Sequence, residues 1–283
     1  MKAKEFIDKV KHLPVSPQVL PSLLKVIRDV NSSPFEVVDL VKVDPALSVQ
    51  VLALSNSSYY GYSTKCAHVD EAVTRIGLSE LYKMVSLLLS KKIASIPIRS
   101  YCLEEGELWE HSLACAMSME FFAQRLGVDP LPAYTIGLFH ALGKIIIDQE
   151  ASERYSEVFK KIDGQALALD VAEREVFGFD HAEVGGELLK KWQFDSSVYL
   201  PIFYQFHPMD APEHSHAACM LHLSLWLAAC IGKNFGRDSW AMQVDVRVLA
   251  NLKVNEDDLQ VCMLEVHNRL LDLKSRLLKG ILD

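Results

Sequence analysis

The 283-residue sequence has few of the residues that interrupt regular structure, with 13 glycines and 11 prolines. This composition excludes collagen-like repeats and argues against disordered or turn-rich all-β chains. Hydrophobic residues make up 50% of the chain and charged residues 23%, as in a soluble globular protein with a sizeable core. The net charge is −8 with both signs interspersed, so no broad basic surface for nucleic acid or anionic lipid is expected.

Targeting and cross-linking signals are also missing. No apolar run follows the N-terminal Met1, so the sequence predicts no secretory signal and a cytoplasmic protein. The most apolar stretch, residues 217–231, contains His222 and Ser224 and is too short to cross a bilayer, which predicts a core helix. The six cysteines form no C-x-x-C pair, so we expect free and mostly buried thiols.

Several familiar site motifs do not occur in the sequence. It has no G-x-G-x-x-G, no P-loop, no G-x-S-x-G, no H-E-x-x-H and no EF-hand loop. Dinucleotide, P-loop nucleotide, α/β-hydrolase, zincin and EF-hand calcium sites are therefore disfavoured.

What the sequence contains instead is a succession of helical patterns. Ser33-Pro34-Phe35-Glu36 is a capping box with proline at the first helical position, and Asp44-Pro45 opens the next helix similarly. An earlier helix follows Ser16-Pro17 and either kinks or begins at Pro21. No run alternates with period two, so the sequence predicts an all-α, compact multi-helix bundle. Further helices are predicted over residues 69–76, 79–96, 104–127, 130–147, 152–162, 166–177, 181–192, 196–206, 215–232 and 256–282.

Histidines are the best candidates for a functional site. Four of them lie on or at the ends of consecutive predicted helices: His111, His140, His181 and His207. Side chains placed in this way can converge inside a bundle, and neutral imidazole suits borderline transition metals. Taken singly, each is more often an ordinary core or surface histidine. A catalytic metal would also want a carboxylate, and none lies beside His140, so spacing alone is a weak metal signal.

Five segments occur in the order typical of one family. They are Leu13-Pro14, Asp44-Pro45-Ala46-Leu47, Asn56-Ser57-Ser58-Tyr59-Tyr60-Gly61, Val69-Asp70-Glu71-Ala72-Val73-Thr74-Arg75-Ile76-Gly77 and Trp109-Glu110-His111-Ser112. Together they resemble the signature segments of the HDOD (HD-related output) domain, from about residue 13 to residue 230. The resemblance implies an HD-domain-like helical fold related to the HD superfamily of metal-dependent phosphohydrolases. It predicts one domain over 13–230, with an N-terminal part (13–98) and an HD-like part (104–230), and a C-terminal helical extension (240–283) packed on it.

The resemblance assigns a position to each of the four histidines. His111 falls at the first histidine of the family pattern, and His140 at the histidine of its His-Asp pair. His181 and His207 fall at the additional histidines of two-metal subgroups. A metal, if one is bound, is therefore expected on these four side chains.

Two departures from the family pattern bear on mechanism. Ala141 stands where the pair has its aspartate, and Leu225 where the distal aspartate is expected. Without these carboxylates, a dication among neutral histidines binds less tightly and its nucleophile loses an anionic orienter. The departures predict that the chain does not hydrolyse phosphoesters by the family mechanism.

Two other features admit two interpretations each. Gly143 and Lys144 match the family's H-D-x-G-K turn, where the lysine could meet an anion or simply be a surface lysine at a tight helix contact. Tyr59, Tyr60 and Tyr62 could form a recognition surface, or pack over the seam between the N-terminal and HD-like helices.

Three hypotheses about function result. The leading one is a non-catalytic signal-transduction or regulatory protein of bacterial type with a degenerate metal site and no expected cofactor. Its expected partners are other signalling proteins, or a nucleotide or anion, rather than membrane or nucleic acid. The alternative is a metal-dependent phosphohydrolase in which the four histidines hold a divalent transition metal and a carboxylate from outside the motif substitutes, with Asp180 and Glu183 as the nearest candidates in sequence. A third is a remnant site that binds a nucleotide or anion without cleaving it.

Overall fold

The computed structural model describes residues 2–10, 17–29, 31–57, 64–165, 167–233, 236 and 244–280, with side chains up to residue 273. These residues form α-helices, short 3₁₀ turns and one isolated antiparallel bridge between Ile98 and Leu103. The predicted all-α class is confirmed. The helices are α1 Ala3–Lys9, α2 Val19–Arg28, α3 Pro34–Lys42, α4 Pro45–Ser55, α5 Val69–Ile76, α6 Leu78–Ala94, α7 Glu107–Arg125, α8 Pro130–Phe139, α9 Leu142–Ala151, α10 Tyr155–Gln165, α11 Leu169–Phe177, α12 His181–Lys191, α13 Ser196–Phe203, α14 Ser215–Cys230, α15 Val246–Leu252 and α16 Glu256–Gly280.

Capping side chains explain where several helices begin. The Ser33 hydroxyl accepts from the amide of Phe35, and the Glu36 carboxylate accepts from the Ser33 amide at 3.0 Å, so the predicted capping box opens α3. The Asp44 carboxylate accepts from the first free amides of α4. These caps satisfy backbone donors that have no partner within the helix.

The single helix predicted over residues 130–147 is wrong. The chain leaves helical hydrogen bonding at His140 and Ala141, which separate α8 from α9. The apolar pattern continues through the break, so periodicity could not reveal it. The break places His140 between two helices rather than along one.

Glycines allow the helices around this break to approach closely. A Cβ on Gly143, in the first turn of α9, would overlap the carbonyl oxygen of His181 at the start of α12. A Cβ on Gly137 in α8 would lie 2.5 Å from backbone atoms of Ala116 in α7. Because only glycine fits these contacts, they bring His140 next to both α7 and α12.

The chain divides into two compact units, each made of two segments. The first unit contains residues 1–16 and 90–264, and the second contains residues 17–89 and 265–283. The domain boundaries expected from the sequence, at 13–98, 104–230 and 240–283, stay a prediction. The Leu13-Pro14 motif and the three tyrosines at 59, 60 and 62 lie outside the described residues.

Hydropathy and cysteine chemistry agree with a packed helical core. Pro130–Gln165 contains a window apolar enough and long enough to cross a membrane, but 94% of that window is buried inside the protein, as in a core helix. All six cysteines are free, as predicted; Cys102 and Cys230 are exposed and the other four are buried.

Candidate functional site

Two of the predicted site histidines lie side by side in the core of the first unit. His111, in α7, and His140, between α8 and α9, are both buried, and their ring centroids are 5.1 Å apart. Cys115 follows His111 by one helical turn, with its Sγ 3.4 Å from His111 Nε2. In the part of the chain that the structure describes, these three form the one group of His, Cys, Asp or Glu donors within 4.8 Å of one another. Cys115 was not among the predicted site residues, although its i+4 spacing from His111 was a usable signal.

Backbone carbonyls fix the orientation of both rings. The Nδ1 of His111 donates to the carbonyl of Lys233 at 2.8 Å, and the Nδ1 of His140 donates to the carbonyl of Gly137 at 2.7 Å. Since a carbonyl only accepts, each neutral ring carries its proton on Nδ1 and its lone pair on Nε2. This is the orientation that metal-binding histidines usually have.

Burial keeps both imidazoles neutral. It lowers the pKa of His140 to about 3, with the charge of Lys144 acting in the same direction. It lowers the pKa of His111 as well, and the charges of His140 and Lys144 add to the effect. Burial also raises the pKa of the Cys115 thiol. The cluster therefore consists of uncharged donors at neutral pH.

His181, the first residue of α12, is bound to a buried carboxylate that the sequence analysis did not identify. Glu173, in α11, accepts from the hydroxyls of Tyr101 at 2.6 Å and Tyr155 at 2.8 Å. It also accepts from the backbone amide and the Nδ1 of His181, at 2.8 and 2.7 Å. Although burial raises the pKa of Glu173, the charge and hydrogen bonds of His181 and the Tyr101 hydroxyl hold it below its ordinary value. Glu173 is therefore an ionised carboxylate with all its hydrogen-bonding capacity in use.

A sequence signal for Glu173 did exist. Leu169, Ala172 and Phe177 form the buried face of α11, and Glu173 lies on that same face. A carboxylate at a core position of an amphipathic helix requires a buried partner, and here the partner is His181.

Lys144 is buried, so the expectation of a surface lysine is wrong. Its side chain, in the first turn of α9, is 0% exposed, and its Nζ lies 4.7 Å from the centroid of the Tyr101 ring. The electron-rich ring face stabilises the ammonium group. The charge of Lys144 acts on both site histidines, since it contributes to the lowered pKa of His111 and of His140.

His207 is not part of the cluster of His111, Cys115 and His140. Its side chain is 43% exposed, and its Nε2 is 3.2 Å from the Asp170 carboxylate. The structure therefore brings His111 and His140 together, and places the half-exposed His207 against Asp170.

Asp180 and Glu183 serve the start of α12. The Asp180 carboxylate accepts from the Glu183 amide at 2.8 Å, and an Arg174 guanidinium nitrogen lies 2.6 Å from it. Glu183 accepts in return from the Asp180 amide at 3.3 Å, completing a capping box. Burial raises the pKa of Asp180 to about 7, opposed by the charges of His181 and Arg174. The two carboxylates that the phosphohydrolase hypothesis offers in place of the missing aspartates are thus engaged in a helix cap.

The two positions where the resemblance implies carboxylates hold buried apolar side chains, Ala141 and Leu225. Around His111 and His140 the structure provides imidazoles, a thiol and an ammonium group. This donor set does not fit the carboxylate-containing metal centre that the resemblance implies, because no anion at these positions would balance a dication.

The fold and the histidine cluster define an all-helical protein of the HD-like class. A sequence model of the HDOD domain matches residues 13–208, more than half of the chain. The chain belongs to the HDOD domain family.

Solved structures share this fold. A candidate phosphohydrolase from Shewanella amazonensis superposes with a TM-score of 0.72 at 24% identity, covering 97% of each chain. An HDOD domain protein of unknown function from Geobacter sulfurreducens gives 0.74 at 23% identity, covering 96% of this chain and 95% of the other. A candidate signal transduction protein from Marinobacter aquaeolei gives 0.77 at 21% identity, covering 97% of this chain and 60% of the other.

A curated relative is longer than this chain. An uncharacterized protein of Treponema pallidum is 24% identical over 213 residues, which are 75% of this chain and 41% of that protein.

Proposed function

We propose that this HDOD protein is a non-catalytic regulatory protein that acts in signal transduction by binding another protein or a small ligand. The observation that carries the proposal is the pair of buried apolar side chains, Ala141 and Leu225, at both positions where a phosphohydrolase of the superfamily would have its metal-binding aspartates.

The chemistry of hydrolysis explains why this pair matters. A metal-dependent phosphohydrolase needs anionic ligands that balance the charge of the metal and orient the attacking hydroxide. Here the cluster supplies neutral imidazoles and a protonated thiol, and Lys144 adds a positive charge. A dication at this position would meet repulsion where an active centre would supply attraction.

The alternative, a phosphohydrolase with a histidine-rich site, requires a carboxylate from outside the motif. Glu173 is saturated by two tyrosines and His181, and Asp180 and Glu183 cap α12. The structural neighbours include both a candidate phosphohydrolase and a candidate signal transduction protein, at identities that carry the fold alone. The engaged carboxylates favour the regulatory role.

A turnover assay tests the proposal. Purified protein is incubated with bis(p-nitrophenyl) phosphate, p-nitrophenyl phosphate and a panel of nucleotides, each with Mg²⁺, Mn²⁺, Ni²⁺ or Zn²⁺. We expect no more product from the wild type than from His140→Ala. The matched control is His267→Ala, which alters an exposed histidine on α16. Metal-dependent turnover that disappears in His140→Ala and persists in His267→Ala contradicts the proposal.

A second experiment separates the two kinds of partner. A ligand that binds only the folded protein raises its melting temperature. A rise with one member of a mononucleotide and cyclic dinucleotide panel identifies a ligand-responsive protein. No rise with any of them favours a protein partner.

A further inference from the structure

We infer that the ammonium group of Lys144 is the resident cation of the histidine cluster and that it keeps divalent metal ions out of the donor set formed by His111, Cys115 and His140. The inference deepens the proposed function and rests on it, because both assume that the wild-type protein performs its role without a metal ion in the histidine cluster.

The first argument is charge balance within a connected network. The Tyr101 ring faces Lys144 Nζ at 4.7 Å, and the Tyr101 hydroxyl donates to Glu173 at 2.6 Å. The same tyrosine thus contacts a buried cation at the face of its ring and a buried anion at its hydroxyl group. Buried charges are tolerated when an opposite charge and hydrogen bonds compensate them. Lys144 and Glu173 are such a pair of opposite charges, and a dication at the cluster would add two positive charges to this balance.

The second argument is that the donor geometry suits a metal. The donor atoms of His111, Cys115 and His140 lie within 4.8 Å of one another. Backbone carbonyls hold both Nδ1 atoms and leave the two Nε2 atoms as the ligating ones. Two imidazoles and a thiolate are ligands that Zn²⁺ and Co²⁺ accept readily. Since the ligands are in place, the obstacle to a metal is electrostatic.

The third argument is the position of the lysine. Lys144 lies four residues after His140, in the helix that packs on α12 through Gly143, and it is fully buried. Its charge acts on both His140 and His111. The ammonium therefore brings a positive charge to bear on the histidines, as a metal ion would, but it is covalently part of the chain and brings one charge instead of two.

Removing the charge should open a metal site. In Lys144→Met, a Co²⁺ ion would bind the two Nε2 atoms and the Cys115 thiolate, with the thiol proton released to solvent. Titration with Co²⁺ reports this directly, because tetrahedral Co²⁺ absorbs in the visible range and a thiolate ligand adds a charge-transfer band in the near ultraviolet. We expect Lys144→Met to bind one Co²⁺ at least 100-fold more tightly than the wild type. The charge-transfer band should vanish in Lys144→Met combined with Cys115→Ser.

The controls isolate the charge from the fold. Lys160→Met removes an exposed lysine from α10 and should bind Co²⁺ no better than the wild type. Lys144→Gln is a second neutral variant, and circular dichroism with a cooperative melt shows which of the two is folded.

A folded neutral variant that binds Co²⁺ no better than the wild type overturns the inference. A Cys115-dependent Co²⁺ band in the wild type overturns it too, and that measurement needs no variant of Lys144. Failure of the proposed function is detected in a separate experiment, as metal-dependent turnover of the phosphoester substrates by the wild type.

Discussion

At the scale of single residues, the buried carboxylate of Glu173 organises this part of the core. Its hydrogen bonds to Tyr101, Tyr155 and His181 join α10, α11, α12 and the turn before α7. Glu173→Gln keeps the shape but removes the negative charge and replaces one acceptor oxygen with a donor amide, so the hydrogen bonds to a charged acceptor are lost or become weaker neutral ones. We expect a loss of about 3 kcal/mol in the free energy of unfolding, since a hydrogen bond to a buried charge contributes roughly 1.5–3 kcal/mol. Urea denaturation measures it.

The matched control for this change is Glu175→Gln, two residues away. Glu175 is partly exposed and pairs with Lys161 on the surface, so its loss should change stability by less than about 1 kcal/mol. Equal losses in the two variants would show that burial of Glu173 is not what makes its carboxylate important.

The same residue predicts a pH dependence. The pKa of Glu173 is lower in the folded protein than its ordinary value, which applies to the unfolded chain. Its stabilisation is therefore complete above the unfolded pKa of about 4.3 and is lost as the pH falls toward the folded pKa. The stability difference between wild type and Glu173→Gln should shrink as the pH is lowered from 6 to 3 in urea titrations. A constant difference across that range would contradict the assignment of Glu173 as an ionised group.

At the scale of helices, the contact between α9 and α12 positions the site. Gly143→Ala would drive a methyl group into the carbonyl oxygen of His181, so the two helices must separate. Overpacking of a core contact costs about 1–3 kcal/mol or more, and we expect the upper end because the opposing atom is backbone. The matched control is Gly164→Ala in α10, where nothing lies within 4 Å and alanine should stabilise the helix by up to about 1 kcal/mol. Thermal melts of the two variants should shift in opposite directions.

Helix starts could be predicted from the sequence, because a cap is local chemistry. Ser33 and Asp44 accept hydrogen bonds from the amides that follow them, and the helices begin there. The break at His140 could not be predicted in this way, since no cap or proline marks it. The close contact that accompanies the break joins Gly143 to a helix almost forty residues further along the chain, which local patterns do not reveal.

The candidate site, too, could be predicted from the sequence only where local or family patterns specify it. The positions of His111 and His140, and the missing carboxylates at 141 and 225, could be taken from the family pattern. The burial of Lys144 and the pairing of Glu173 with His181 depend on which helices pack together, which the pattern does not specify. His207 matches the pattern by its place in the sequence, yet it lies in a half-exposed pair with Asp170.

At the scale of the whole molecule, the chain forms two units from interleaved segments. The second unit joins residues 17–89 to the C-terminal residues 265–283. These two segments are separated in sequence by nearly the whole of the first unit, so the second unit is complete only after the last helix has been made. Its stability should therefore depend on the buried apolar residues that α16 contributes to it, Val266, Leu270 and Leu273.

A pair of adjacent leucines tests this dependence. Leu270 is 3% exposed and Leu271 is 54% exposed. Leu270→Ala should destabilise the second unit by about 2–5 kcal/mol, the usual effect of truncating a buried leucine. Leu271→Ala should change stability by no more than about 0.5 kcal/mol. Hydrogen exchange measured by mass spectrometry locates the effect, and we expect faster exchange in residues 17–89 of Leu270→Ala with unchanged protection in α7, α8 and α12. Equal loss of protection in those three helices would mean that the two units unfold as one, and that the histidine cluster depends on the C-terminal helix as well.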